Sequence, residues 1–172
     1  MTWIAFSGYS LWRAAVLACA IALASAAWQP AMAAGPFSTL RGGWDGTGKI
    51  RIGDKTERIR CKASYDVQGS TDSNVGLTLT CASDSYKFDL AGNFQADESN
   101  HISGNWSERS RGVGGSATGT ARGDQFQIHV DSQAFSGNVI LVTRGNSQSV
   151  TIDTIGTEDK ISATITLQRN SR

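Results

Sequence analysis

The sequence predicts an all-β fold, an antiparallel up-and-down meander of about 8–10 strands closing into a small barrel with one cross-strand disulfide. Three segments carry this reading: Ile102-Ser103-Gly104-Asn105-Trp106, Ala117-Thr118-Gly119-Thr120-Ala121 and Phe135-Ser136-Gly137-Asn138-Val139. Each places apolar residues and glycine on one parity and small polar residues on the other, the period of a strand with one wet face. Glycine on the inward parity marks strands that bend sharply or approach closely. No window holds a helical period, and Gly, Asn, Asp and Ser cluster about every 8–12 residues, the spacing of sandwiches and barrels.

In chain order, residues 1–33 read as a secretory leader. Arg13 ends a weakly basic start, Ala14 to Trp28 is apolar and uncharged, and Ala31-Met32-Ala33 offers the small-x-small pattern of a cleavage site before Ala34. Such a leader implies export, to the periplasm or the extracellular space, with no transmembrane segment in the mature form. The remaining 34–172 is predicted to be one domain, its roughly 140 residues enough to bury about two thirds of the unfolded surface. Pro30 and Pro36 are the only prolines and precede every strand.

Alternation predicts strands near 43–52, 57–67, 75–82, 86–92, 101–108, 115–122, 125–131, 135–143, 148–154 and 161–168. The last is typical, with Ile161, Ala163, Ile165 and Leu167 facing one way and Ser162, Thr164, Thr166 and Gln168 the other. Gly145-Asn146 suits a two-residue hairpin because glycine accepts positive φ at the first central position. Short links make sequential strands antiparallel neighbours, and closure removes the exposed edges. A two-sheet sandwich is the alternative.

Register sharpens the picture. A hairpin centred on Thr71 pairs Val67 with Val75, Tyr65 with Leu77, Ala63 with Leu79 and Cys61 with Cys81, all on the inward parity. Two cysteines brought opposite one another in an exported chain predict a structural disulfide. For the first hairpin, a loop over 53–56 pairs Ile50 with Ile59, Gly48 with Cys61 and Trp44 with Tyr65. Gly119 is expected opposite Ile128, and Ala121 opposite Phe126.

The outward parity of the first two strands carries Lys49, Arg51, Arg58, Arg60 and Lys62, although the whole chain holds 16 basic and 15 acidic residues. Adjacent like charges destabilise a sheet, so this patch is either a docking face for an anionic partner or a solvated face balanced by Asp54 and Asp66. No aromatic residue interleaves with the charges to stack bases, which argues against nucleic acid.

Catalytic patterns are absent. His101 and His129 are the only histidines, and no spacing groups them into a metal site. Gly112-Val113-Gly114-Gly115 lacks the lysine and helix of a phosphate loop. Asp84 with Asp89, or Asp97 with Glu98, suits turns better than paired acid catalysis. The expectation is a protein that is not an enzyme and needs no cofactor.

The opening Leu40-Arg41-Gly42-Gly43-Trp44 resembles the Leu-x-Gly-x-Trp start of the calycin group, which includes lipocalins, avidins and small periplasmic protease inhibitors. The resemblance implies that Gly42 and Trp44 close one end of a barrel. Cys81-Ala82-Ser83-Asp84-Ser85-Tyr86 is similar to the Ser-rich, Tyr-ending segment of small periplasmic lysozyme inhibitors, whose barrels are also bridged. As a whole the chain resembles exported β-barrel proteins.

Two functions follow as expectations. The first is a binding module whose interior, lined by Trp44, Tyr65, Phe88, Trp106, Phe126 and Phe135, holds a small apolar or amphipathic ligand; the inward glycines leave room, unless the rings simply fill it. The second is an envelope interaction protein, either a hydrolase inhibitor or an adaptor docking an anionic surface through the basic face. An inhibitor needs a protruding loop, for which 93–100 and 109–114 are the longest connections.

Overall fold

The computed structural model describes residues 34–155 and 160–170; the leader read at 1–33 lies outside the described residues. Ten strands are present among them: β1 (Gly42–Ile52), β2 (Lys55–Gln68), β3 (Asn74–Ala82), β4 (Lys87–Ala96), β5 (His101–Glu108), β6 (Val113–Arg122), β7 (Gln125–Ser132), β8 (Ser136–Arg144), β9 (Ser147–Ile155) and β10 (Ile161–Arg169). Each pairs antiparallel with its neighbours in sequence, and β1 pairs with β10, so the meander closes into a barrel without a free edge.

Two-residue Gly-Asp or Gly-Asn turns set much of the register. Gly53, Gly123 and Gly145 have φ of 56°, 57° and 59°, and the flanking pairs are Ile52 with Lys55, Arg122 with Gln125 and Arg144 with Ser147. Positive φ at the first central position matches the twist of the strands it joins. Cys61 faces Cys81 and Val67 faces Val75, as the second hairpin predicts, and the cysteines form a disulfide with Cα atoms 4.1 Å apart. Gly119 faces Ile128 and Ala121 faces Phe126.

Two expectations are corrected. The first hairpin turns at Gly53-Asp54 instead of over four residues, so Gly46 faces Cys61, Trp44 faces Ala63 and Ile50 faces Glu57. This is a slip of two, which leaves every residue on its expected face because side chains alternate with period two. The long connection read at 93–100 shrinks to Asp97–Asn100, since β4 continues to Ala96 with Asn93 paired to Asn105 and Gln95 to Ser103. Asp97 Oδ1 accepts the N–H groups of Ser99 and His101, at 2.8 and 2.9 Å, and Asn100 takes φ of 60°. Those two N–H groups, that of His101 foremost, hold the Asp97 carboxyl below the usual carboxylate range.

The inward glycines mark close strand contacts. A Cβ on Gly46 would lie 1.9 Å from Thr166 O, on Gly48 2.2 Å from Thr164 O, and on Gly119 2.2 Å from Gln127 O. Their missing side chains are replaced by the neighbouring backbone, which lets the sheet coil tightly enough to close.

One barrel end is sealed by the chain that enters it. A 3-10 turn, Ser38–Leu40, follows Phe37 across this end. Phe37, Leu40 and Trp44 are 2%, 4% and 0% exposed. Phe37 stacks on Phe126 with centroids 5.9 Å apart, and Trp44 Nε1 donates to Leu40 O at 2.8 Å. The Arg169 guanidinium lies 4.2 Å over the Trp44 ring and donates to the backbone carbonyls of Thr39 and Arg41. Beneath them Tyr65 donates to Gln148 Oε1 at 2.9 Å, and Gln148 Nε2 donates to Thr143 Oγ1 at 3.3 Å. Burial pushes the Tyr65 phenol upward and keeps it a neutral donor.

Candidate functional site

The barrel interior divides into a packed half and a half-buried one. On β1, β2 and β10 the inward residues Ile50, Ile59, Cys61, Ala63, Ala163 and Ile165 are buried. Opposite them Leu77, Leu79, Phe94, Ile128, Val139 and Ile152 pack against the core yet stay half-buried. Leu90, Trp106, Val130 and Phe135 are half-buried on the inward parity, outside the packed cluster. Trp106 and Phe135 meet each other at 5.6 Å, and Trp106 Nε1 donates to Ser116 O at 3.1 Å. On the same strands Val75, Ile102, Ala117, Leu141 and Val150 are buried, so half-buried and buried apolar residues alternate along the wall from β3 to β9.

The six aromatic residues singled out from the sequence therefore separate. Trp44, Tyr65 and Phe126 form the sealed end at 0%, 7% and 1% exposure. Phe88, Trp106 and Phe135 are half-buried at the other. Phe88 stacks with Tyr86 at 6.4 Å and carries the Arg111 guanidinium 4.8 Å above its ring. The inward glycines Gly46, Gly48 and Gly119 face the backbone of the neighbouring strand and add no room of their own.

Two inward carboxylates fix the rim of the half-buried end. Glu57 Oε2 accepts the Ser85 N–H at 3.2 Å, tying β2 to the turn after β3. Glu108 is 6% exposed and accepts the N–H groups of Asp89, Ser110 and Arg111 at 2.9, 3.1 and 2.8 Å. Burial opposes its ionisation, but these donors outweigh burial and hold the carboxyl below the usual carboxylate range. A depressed folded pKa contributes stability above the unfolded value, and that contribution is lost as pH falls through the folded one. Glu108→Gln is accordingly expected to lower the melting temperature at neutral pH and to flatten its decline on acidification below the usual carboxylate range. Melting curves at a series of pH values check this, and an unchanged acid slope contradicts it.

Lys49, Arg51, Arg58, Arg60 and Lys62 are all exposed on the outer face of β1 and β2. The register sets Lys49 opposite Arg58, Thr47 opposite Arg60 and Asp45 opposite Lys62. Arg51 approaches Asp54 at 4.0 Å; among the described residues the other four cations make no ion pair. The two histidines stay apart, His101 Nδ1 lying 3.4 Å from Asp97 Oδ2 and His129 Nδ1 3.0 Å from Asn138 Oδ1. Among the described residues no group of three His, Cys, Asp or Glu side chains stands close enough to hold a metal ion. No helix among them is long and apolar enough to cross a membrane.

Several contributors escape a reading of strands alone. Phe37 and Leu40 precede the first strand and have no periodicity to expose them. Arg169 had a usable signal, since it continues the inward parity of Ile165 and Leu167 and an inward cation needs a partner.

No protein family matches the chain, and no curated protein matches it in sequence. Among solved structures it is similar to the crystal structure of Rv2717c from M. tuberculosis, with a TM-score of 0.63 and 12% sequence identity over 78% of this chain and 95% of that one. At that identity the likeness concerns the barrel fold alone.

Proposed function

We propose that this chain is an exported, non-catalytic binding module that takes a small apolar or amphipathic ligand against the half-buried interior wall. The observation that supports the reading is the asymmetry of the core. Leu90, Trp106, Val130 and Phe135 face inward and stay half-buried, while Phe37, Trp44 and Phe126 are buried at the other end. Covering 100 Å² of such surface contributes about 2.5 kcal/mol before the costs of association. Phe88, Trp106 and Phe135 are the aromatic contacts assigned to the ligand, and Arg111 stands at the rim with its side chain 48% exposed.

The test uses the mature protein, freed of co-purified lipid and titrated with the neutral apolar probe N-phenyl-1-naphthylamine. Saturable uptake at one site is expected. Ile128→Trp enlarges a half-buried inward side chain, which faces Gly119 across β6 and β7, and is expected to weaken uptake by about tenfold or more. Circular dichroism of the variant verifies the barrel. Absence of saturable uptake by the parent protein, or equal uptake by a folded Ile128→Trp variant, overturns the reading.

A further inference from the structure

We propose that the outer face of β1 and β2 is a binding strip for an acidic polysaccharide, independent of any ligand in the interior. Arg58, Arg60 and Lys62 are alternate residues of β2, so their side chains emerge on one face about 7 Å apart. Lys49 and Arg51 run beside them on β1, and Lys49 faces Arg58 directly. Like charges placed opposite one another cost stability. No carboxylate among the described residues pairs with Lys49, Arg58, Arg60 or Lys62, although the chain as a whole is nearly neutral.

The strip also has relief. A groove of about 520 Å³ lies at one part of it, where Arg60 and Lys62 on the middle strand β2 stand between Asp45 and Thr47 on β1 and Thr80 and Ala82 on β3. Its floor includes the backbone of Cys61, and Cys61 is bridged to Cys81 on the inner face. Arg60 and Lys62 flank one half-cystine, and Thr80 and Ala82 flank the other. The covalent link thus holds the groove walls at fixed separation and reduces the ordering cost of binding. A second outer groove, about 400 Å³ over Gly76, is lined by uncharged residues such as Asn74, Asn93, Gln95 and Asn105.

The surroundings select among polyanions. Beside the cations lie hydroxyl side chains, with Lys49 next to Thr164 on β10 and Lys62 next to Thr80 on β3. These give hydrogen bonds to sugar hydroxyls and sulfate or carboxylate oxygens. The strip holds no aromatic side chain to stack bases. The large apolar residues exposed on the barrel, Ile140 and Ile155, lie on β8 and β9 and give it nothing to insert into a bilayer.

The test measures binding of the mature protein to dextran sulfate, with uncharged dextran as blank and vesicles of phosphatidylglycerol and phosphatidylcholine as the membrane arm. Replacing Lys49, Arg58, Arg60 and Lys62 together with Ser is expected to weaken dextran sulfate binding about tenfold or more and to flatten its salt dependence. Arg122→Ser with Arg144→Ser, two exposed cations elsewhere, is expected to leave it within about twofold. Lys49→Glu guards against misfolding of the quadruple variant. Its carboxylate faces Arg58, so the melting temperature is expected to rise while polymer binding falls. Unchanged binding by Lys49→Glu or by a folded quadruple variant, an equal loss in the Arg122/Arg144 control, or tighter binding to the vesicles than to dextran sulfate overturns the proposal.

Discussion

Trp44→Ala is expected to destabilise the barrel by about 3–5 kcal/mol, the range for removing a large aromatic residue from a packed core. Trp44 is fully buried, its Nε1 satisfies Leu40 O, and its ring supports the Arg169 guanidinium, which in turn donates to Thr39 and Arg41. One truncation thus leaves a cavity and loosens the segment that covers the sealed end. For a domain of this size the melting temperature falls by roughly 10 °C or more. Trp44→Phe retains much of the apolar volume but leaves Leu40 O without its donor, and is expected to cost less. Denaturant melts of both variants check the ordering. A Trp44→Ala protein within about 1 kcal/mol of the parent contradicts the assignment of Trp44 to the seal.

Removal of the disulfide is the second large effect. Cys61 and Cys81 are 20 residues apart, and a loop of that length contributes about 3 kcal/mol by restricting the unfolded chain. Both cysteines are buried, at 2% and 3% exposure, so paired alanines are the cleaner replacement: serines would bring hydroxyl groups into an apolar site. The double variant is expected to unfold at lower urea concentration than the oxidised parent, and reduction of the parent is expected to shift it in the same direction. Equal midpoints for the oxidised parent and the double variant contradict a stabilising bridge.

Most of the barrel was legible because its signals are local and have period two. Cys61 and Cys81 could be placed opposite one another from alternation and a turn centred on Thr71. The first hairpin slipped because Gly53-Asp54-Lys55-Thr56 reads as a four-residue loop, whereas Gly53 at positive φ closes the turn in two. An even slip preserves faces, so the outer row of cations survived it. Alternation ends the fourth strand at 92 and reads 93–100 as a connection, yet Asn93 continues β4 opposite Asn105. The interior was less legible, since parity cannot tell a glycine that borders open space from one whose missing side chain is replaced by a neighbouring carbonyl, as at Gly46. Nor does alternation separate a ring that seals an end, such as Phe126, from one that stays half-buried, such as Phe135. That difference arises from Phe37, which stacks on Phe126 from outside the strand pattern.

Tryptophan fluorescence tests the interior assignment most directly. Of the five tryptophans only Trp44 and Trp106 follow residue 33, one fully buried and the other half-buried. In delipidated protein lacking residues 1–33, acrylamide is expected to quench one emitting population and spare the other, with Trp106→Phe removing the quenched one. Saturation with 1-dodecanol should then shield Trp106 and shift its emission to shorter wavelength. Quenching of Trp106 that is unchanged by saturating 1-dodecanol, or a Trp106 already as shielded as Trp44 in the unliganded protein, contradicts an interior that receives an apolar ligand.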